Sequence, residues 1–166
     1  GADMERVRRL YEVPRYQEEL KGIARAEVSR EFCGHTLEHF LDVARLMYIR
    51  SLEEGEIVNR EVIYAAAVLH DIGKSLQYEK KIPHEIASVE IAEKILCSLP
   101  PKVVFSAEEI RVILTAVRGH RMLREDAEPL EQLLYESDKA SRMCFSCPTE
   151  ADCNWSREKK NMEIMI

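Results

Sequence analysis

The 166-residue chain has no continuous apolar run near the roughly 18 residues that a membrane-spanning helix needs, and nothing in it resembles a signal peptide. No strand-like alternation of apolar and polar residues persists, no internal repeat appears, and no linker divides the chain. Positive charge is in deficit, with 24 Lys+Arg against 30 Asp+Glu and a net charge of −6. That sign speaks against a nucleic-acid polymer as partner, because phosphate backbones are held by basic surfaces. A small phosphorylated substrate is not excluded, since a bound metal reverses the local field. Cysteine is present five times, an odd number without a secretory signal, so the expected compartment is the cytoplasm with thiols free or metal-bound. What is abundant is ordinary: 46% apolar and 33% charged residues mark a globular chain of one-domain length.

The apolar pattern that remains is helical. Pro14 to Phe32 fits one amphipathic helix, and Thr36 to about Leu52 another, with Leu37, Phe40, Leu41, Ala44, Met47 and Tyr48 at helical spacing. Val43, Leu46 and Ile49 form a second apolar face there, so this helix is expected to be covered over most of its circumference. Gly55 suits a left-handed cap and Asn59 an N-cap. The run from Val62 to Leu69 reads as central core, ended by Gly73. Pro83 starts a helix reaching Cys97, Ser106 and Glu109 make a capping box for a helix through Val117, and Asp126 is expected to cap a last helix carrying Leu130, Leu133, Leu134 and Asp138. The expected fold class is all-α: one helical domain over residues 1–166, with its core at about 33–142 and a cysteine-containing segment at 143–166.

Histidine is scarce, at His35, His39, His70, His84 and His120. His70 stands beside Asp71 in Ala67-Val68-Leu69-His70-Asp71-Ile72-Gly73-Lys74. Adjacent His and Asp near the end of so apolar a helix are costly to bury unless each has a partner. A divalent cation is one such partner, with nitrogen and oxygen ligands suited to iron, manganese, cobalt or zinc. Backbone groups at the helix end are the other.

These residues resemble the HD-domain metal-dependent phosphohydrolase superfamily. Its pattern is a His on one helix, a His-Asp pair on a second and an Asp on a later one. The resemblance spans about residues 33–142 and implies a bundle of the HD type. It places the ligands at His39, at His70 and Asp71, and at Asp138 in Leu134-Tyr135-Glu136-Ser137-Asp138-Lys139-Ala140. In a dinuclear subgroup two more histidines fall between the pair and the last Asp; His84 and His120 occupy those intervals, and Asp71 would bridge two metals. His35 shares helical spacing with His39, but the family register selects His39, four residues before Val43. His35 is therefore expected only as a neighbour.

The resemblance implies hydrolysis of a small phosphoester, a nucleotide or related metabolite, by a metal-activated water, with Asp71 and Lys74 in catalytic roles. Lys74 is the expected phosphate contact, and Arg118, Arg121 and Arg142 are further candidates from their places near the ligands. Two other functions fit the same ligand set: a dinuclear iron oxygenase, and a sensor domain whose metal is not catalytic. Oligomeric state is left open by the sequence.

Cys144, Cys147 and Cys153 form a Cys-x2-Cys followed by a third Cys. Cys33 lies six residues before His39 and Cys144 six after Asp138, each offset about 9 Å along a helix. If those two helices run antiparallel, Cys33 comes beside Cys144. Four thiolates would then suit a structural zinc or an iron–sulfur cluster; reduced thiols or a disulfide are the alternatives. Cys97 reads as a small core residue.

Overall fold

The computed structural model describes residues 4–30, 32–56 and 58–164, and these form an all-α structure with no strand among them. The helices are α1 (Glu5–Glu12), α2 (Pro14–Ala26), α3 (Leu37–Glu54), α4 (Arg60–Leu69), α5 (Lys74–Lys80), α6 (His84–Cys97), α7 (Ala107–Gly119) and α8 (Pro129–Ala140). Short 3₁₀ turns follow at Pro101–Val103, Cys144–Ser146 and Glu150–Asp152.

The centre of the bundle is α4. Ala65, Ala66 and Ala67 carry nothing beyond Cβ, so neighbouring helices can close on them from several sides, and Ile63 and Leu69 are fully buried between those neighbours. Helix α3 lies against α4 and α8, and α7 packs on α4, α6 and α8. Phe40, Val43, Ala44 and Met47 give α3 an apolar stripe at the i, i+3, i+4, i+7 spacing that turns one face to the core. Its second apolar face is only partly covered: Leu46 is half-buried and Ile49 exposed. Helix α1 is short, and Arg6 ties it to two others by ion pairs to Glu61 at 2.9 Å and Glu109 at 2.7 Å.

The helix ends follow local chemistry. Thr36 accepts from the His39 N–H, Asn59 from those of Glu61 and Val62, and Ser106 forms the expected capping box with Glu109. Gly55 takes the left-handed conformation at φ 72° that ends α3. Three expectations are corrected. The cap of α8 is Glu128, not Asp126, because Pro129 at the first position lacks an N–H and Glu128 and Glu131 form the reciprocal box. Helix α2 ends at Ala26, short of Phe32, where Glu27 turns its carboxylate to the His35 backbone N–H at 2.8 Å. Cys97 is exposed, because the buried stripe of α6 runs through Ala87, Ile91, Ala92, Ile95 and Leu96 and passes it by.

Among the described residues, no helix is long and apolar enough to cross a membrane.

Candidate metal centre

Helix α4 stops at Leu69, and the turn that follows carries His70 and Asp71. Fully buried Ile72 anchors that turn, and Gly73 donates its N–H to Ser88 Oγ on α6 at 2.8 Å. A Cβ at Gly73 would stand 2.5 Å from the Ser88 nitrogen, so only glycine permits this approach. Ser88 is one helical turn after His84, and pinning it to the turn delivers His84 to Asp71. His120 follows the end of α7, while His39 lies in the first turn of α3 and Asp138 near the end of α8.

All six residues converge. Ligand atoms of His39, His70, Asp71 and Asp138 lie within 4.8 Å of one another, as do those of Asp71, His84 and His120. Asp71 belongs to both groups and uses a different oxygen in each. Its Oδ2 faces His70 Nε2 at 3.1 Å, and its Oδ1 faces His84 Nε2 at 3.2 Å and His120 Nε2 at 3.1 Å. Asp138 Oδ1 stands 3.3 Å from His39 Nε2 and 3.5 Å from His70 Nε2.

The ring tautomers are set from behind. His70 Nδ1 donates to the Ala67 carbonyl at 2.5 Å, His120 Nδ1 to the Val117 carbonyl at 2.6 Å, and His84 Nδ1 to Gln77 Oε1 at 2.8 Å. Each donation leaves an Nε2 lone pair aimed at the centre, the arrangement that orients an imidazole for a metal. The Nε2 atoms of His39 and His70 are buried with no hydrogen-bond partner. The Nε2 atoms of His84 and His120 face each other at 3.0 Å, two acceptors that need a cation or proton between them. The residues present therefore fit divalent cations, in one group or in both.

The electrostatics agree. Burial disfavours charge on His70, but Asp71 and Asp138 outweigh it and hold the imidazole well above its ordinary value. Burial likewise opposes ionisation of Asp71 and Asp138, yet the surrounding histidines keep both well below the usual carboxylate range. Burial lowers His39 and His84. Two ionised carboxylates, with His39 and His84 held towards the neutral form and a proton on His70 that a metal would displace, make a site that binds cations.

The centre opens into a cleft of about 560 Å³. Lys74, Arg121 and Arg142 line it, with Arg30, Lys139 and Lys159, which the sequence did not single out. Burial lowers Lys74, and Asp71 pulls it back up. Arg118 is the correction: it is exposed and outside the cleft lining, because two residues along α7 turn it about 200° from His120. The shared helix face assumed for His35 is a second correction. His35 precedes the Thr36 cap, so it shares no helix face with His39, yet it is buried against the cleft with Nε2 3.8 Å from Asp71 Oδ2. Its Nδ1 donates to Glu27 Oε2 at 2.6 Å, and Tyr78 donates to the same oxygen at 2.5 Å. Burial would raise Glu27, but these hydrogen bonds bring it down to about 2. No sequence signal pointed to Glu27 or Tyr78; they meet only because α2 packs on α5.

The cysteines divide in the same way. Cys33, Cys144, Cys147 and Cys153 all line one cavity of about 330 Å³, next to the cleft, and each is a free thiol.

Comparison with known proteins agrees with this geometry. The chain is 48% identical over 145 residues to an uncharacterised protein of Clostridium beijerinckii, covering 87% of this chain and 88% of that one. It is 26% identical over 144 residues to Ribonuclease Y of Enterococcus faecalis, spanning only 25% of that protein's length. The fold is similar to the crystal structure of a predicted HD superfamily hydrolase from an uncultured Thermotogales bacterium. That likeness has a TM-score of 0.57 and 19% identity, over 91% of this chain and 84% of that one. The family model for the HD domain matches residues 36–143, from the cap of α3 to just beyond α8, and the chain belongs to the HD domain family.

Proposed function

We propose that the protein is a metal-dependent phosphoester hydrolase acting on a nucleotide-sized substrate in the cleft beside Asp71. The observation that carries this reading is the pair of ligand groups sharing Asp71, with the buried Nε2 atoms of His39 and His70 in the first of them lacking any hydrogen-bond partner. His39, His70, Asp71 and Asp138 would hold one divalent ion, and Asp71, His84 and His120 a second. Such ions supply Lewis-acid activation of water and compensation of phosphoryl charge.

The chain's own residues account for the rest. Lys74, half-buried in the cleft wall, presents its ammonium to a phosphate oxygen where water screens it little. Arg121 and Arg142 add forked donors at the cleft. With Nδ1 bonded to Glu27, His35 keeps Nε2 free to accept a proton or return it to a leaving group, and the ionised Glu27 stabilises the imidazolium. Half-buried Tyr78 and Glu27 hold that ring in place.

A second reading draws on the relative's name. Ribonuclease Y is similar to this chain over a quarter of its length, and the basic cleft suits the end of an RNA strand as well as a free nucleotide.

The test is a panel of nucleoside monophosphates, generic phosphoesters and short single-stranded oligoribonucleotides, offered to protein loaded with iron, manganese, cobalt or zinc. Turnover of the small esters supports the first reading, and turnover of the oligoribonucleotides alone supports the second. Asp71→Ala should lower turnover by roughly 10³-fold or more while leaving helical content intact. Retained activity in that variant overturns the assignment.

A further inference from the structure

We infer that Cys33, Cys144, Cys147 and Cys153 are the ligands of an iron–sulfur cluster, seated in the cavity between the segment preceding α3 and the chain following α8. This does not rest on the hydrolase reading. The four thiols come from segments 111 residues apart in sequence, at Cys33 and Cys144, and the fold brings them to one space of about 330 Å³. Cys144 opens a 3₁₀ turn whose carbonyl accepts from the Cys147 N–H at 3.2 Å, so the Cys-x2-Cys pair is held in a tight loop. Cys153 follows a second such turn, at Glu150–Asp152.

The tail that carries these turns is fastened. Asn161 donates from its side chain to the carbonyls of Lys139 and Arg142 at 2.7 Å each and accepts from the Phe145 N–H at 2.9 Å. Arg142 and Lys160 line the cavity together with the carboxylates Glu38, Asp42 and Glu150, so the two cations offset carboxylate charge as well as thiolate charge. Arg142 also donates to the Gly34 carbonyl at 2.9 Å, and Lys160 is paired with Glu150 at 2.9 Å. Burial raises the Cys33 thiol, Arg142 opposes that, and the other three cysteines each push it further up.

The spacing separates a cluster from a single ion. Zinc with Zn–S bonds of about 2.3 Å draws four sulfurs to within about 3.8 Å of one another. Among the described residues, the groups of three or more ligand atoms within 4.8 Å of one another are made of histidines and carboxylates, so no three of these sulfurs lie even that close together. The thiols ring a space instead of converging on a point. A cluster ligated by four cysteines spreads its thiolates over a larger body, and Phe32, Met143 and Trp155 supply apolar lining around it.

Position gives the cluster a consequence. Cys33, Cys153, Arg142 and Trp155 line both this cavity and the cleft of the His/Asp centre. A cluster there would hold residues 144–155 in place as one wall of that cleft.

The test is anaerobic reconstitution of the full chain with ferrous iron and sulfide. The expected result is stoichiometric acid-labile sulfide, a visible thiolate-to-iron absorption band and a paramagnetic signal on reduction; iron in the His/Asp centre gives no labile sulfide. Cys147→Ser and Cys153→Ser should each lose most of the sulfide and the band while circular dichroism stays helical, and Cys97→Ser should keep both. Stoichiometric zinc without sulfide, a disulfide among the four, or undiminished sulfide in Cys147→Ser would overturn the inference.

Discussion

Glu27 shows how much a single side chain can organise. It closes the end of α2, receives the backbone and ring of His35 and the hydroxyl of Tyr78, and so sets a ring nitrogen beside Asp71. Its pKa is lowered from 4.5 to about 2 on folding. A carboxylate depressed in this way stabilises the folded state fully above the unfolded value and loses that contribution as pH falls towards the folded one. Glu27→Gln should therefore be less stable than the parent chain above pH 4.5, and denaturation midpoints of the two should converge as pH approaches 2. A difference that stays constant across that range would mean that Glu27 acts by shape and not by charge.

The elements divide into those that local chemistry announces and those that packing creates. The caps at Asn59 and Ser106 and the end at Gly55 were legible, because each needs only its neighbours in sequence. Helices α1 and α5 were not, since α1 buries only Val7 and Leu10 and α5 only Ser75, too few positions to show a period. The same division holds in the site. The His-Asp string and its distant partners could be read, and the structure brings those six residues together. His35 is legible only as a neighbour of the site, and Glu27 and Tyr78 not at all, because their meeting depends on how α2, α5 and the segment before α3 are stacked. Gly73 lies between the two classes: it reads as a helix stop, yet its φ of −86° is ordinary and its role is to admit α6. Gly73→Ala should cost about 1–3 kcal/mol by overpacking, read from urea midpoints, and should weaken metal binding by displacing His84. Unchanged affinity would show that the turn adjusts without moving α6.

For the whole molecule, net charge proved a poor guide to local field. The chain carries −6, yet six of the residues lining the cleft are Arg or Lys. Field lines focus in such a concavity and raise the local concentration of an anion, whatever the sum over the surface. Replacing Lys139 and Lys159 together with Gln should raise KM for a phosphorylated substrate several-fold, on the order of 10-fold at low salt, and leave kcat nearly unchanged. The effect should shrink as ionic strength rises. An equal loss in kcat would place these lysines at the reacting phosphate instead of at the entrance.

Asp71 offers one oxygen to each ligand group. Two cations gathered on one carboxylate cannot be independent guests. Whichever arrives first withdraws electron density from the oxygen left for the second, while also fixing the ring planes that the second requires. Were both positions filled, their occupancy would be thermodynamically linked, and whatever factor one ion imposed on the affinity of the other would be returned in equal measure. A titration of this protein with metal would trace two unequal steps belonging to the pair, neither of which could be assigned to one position alone.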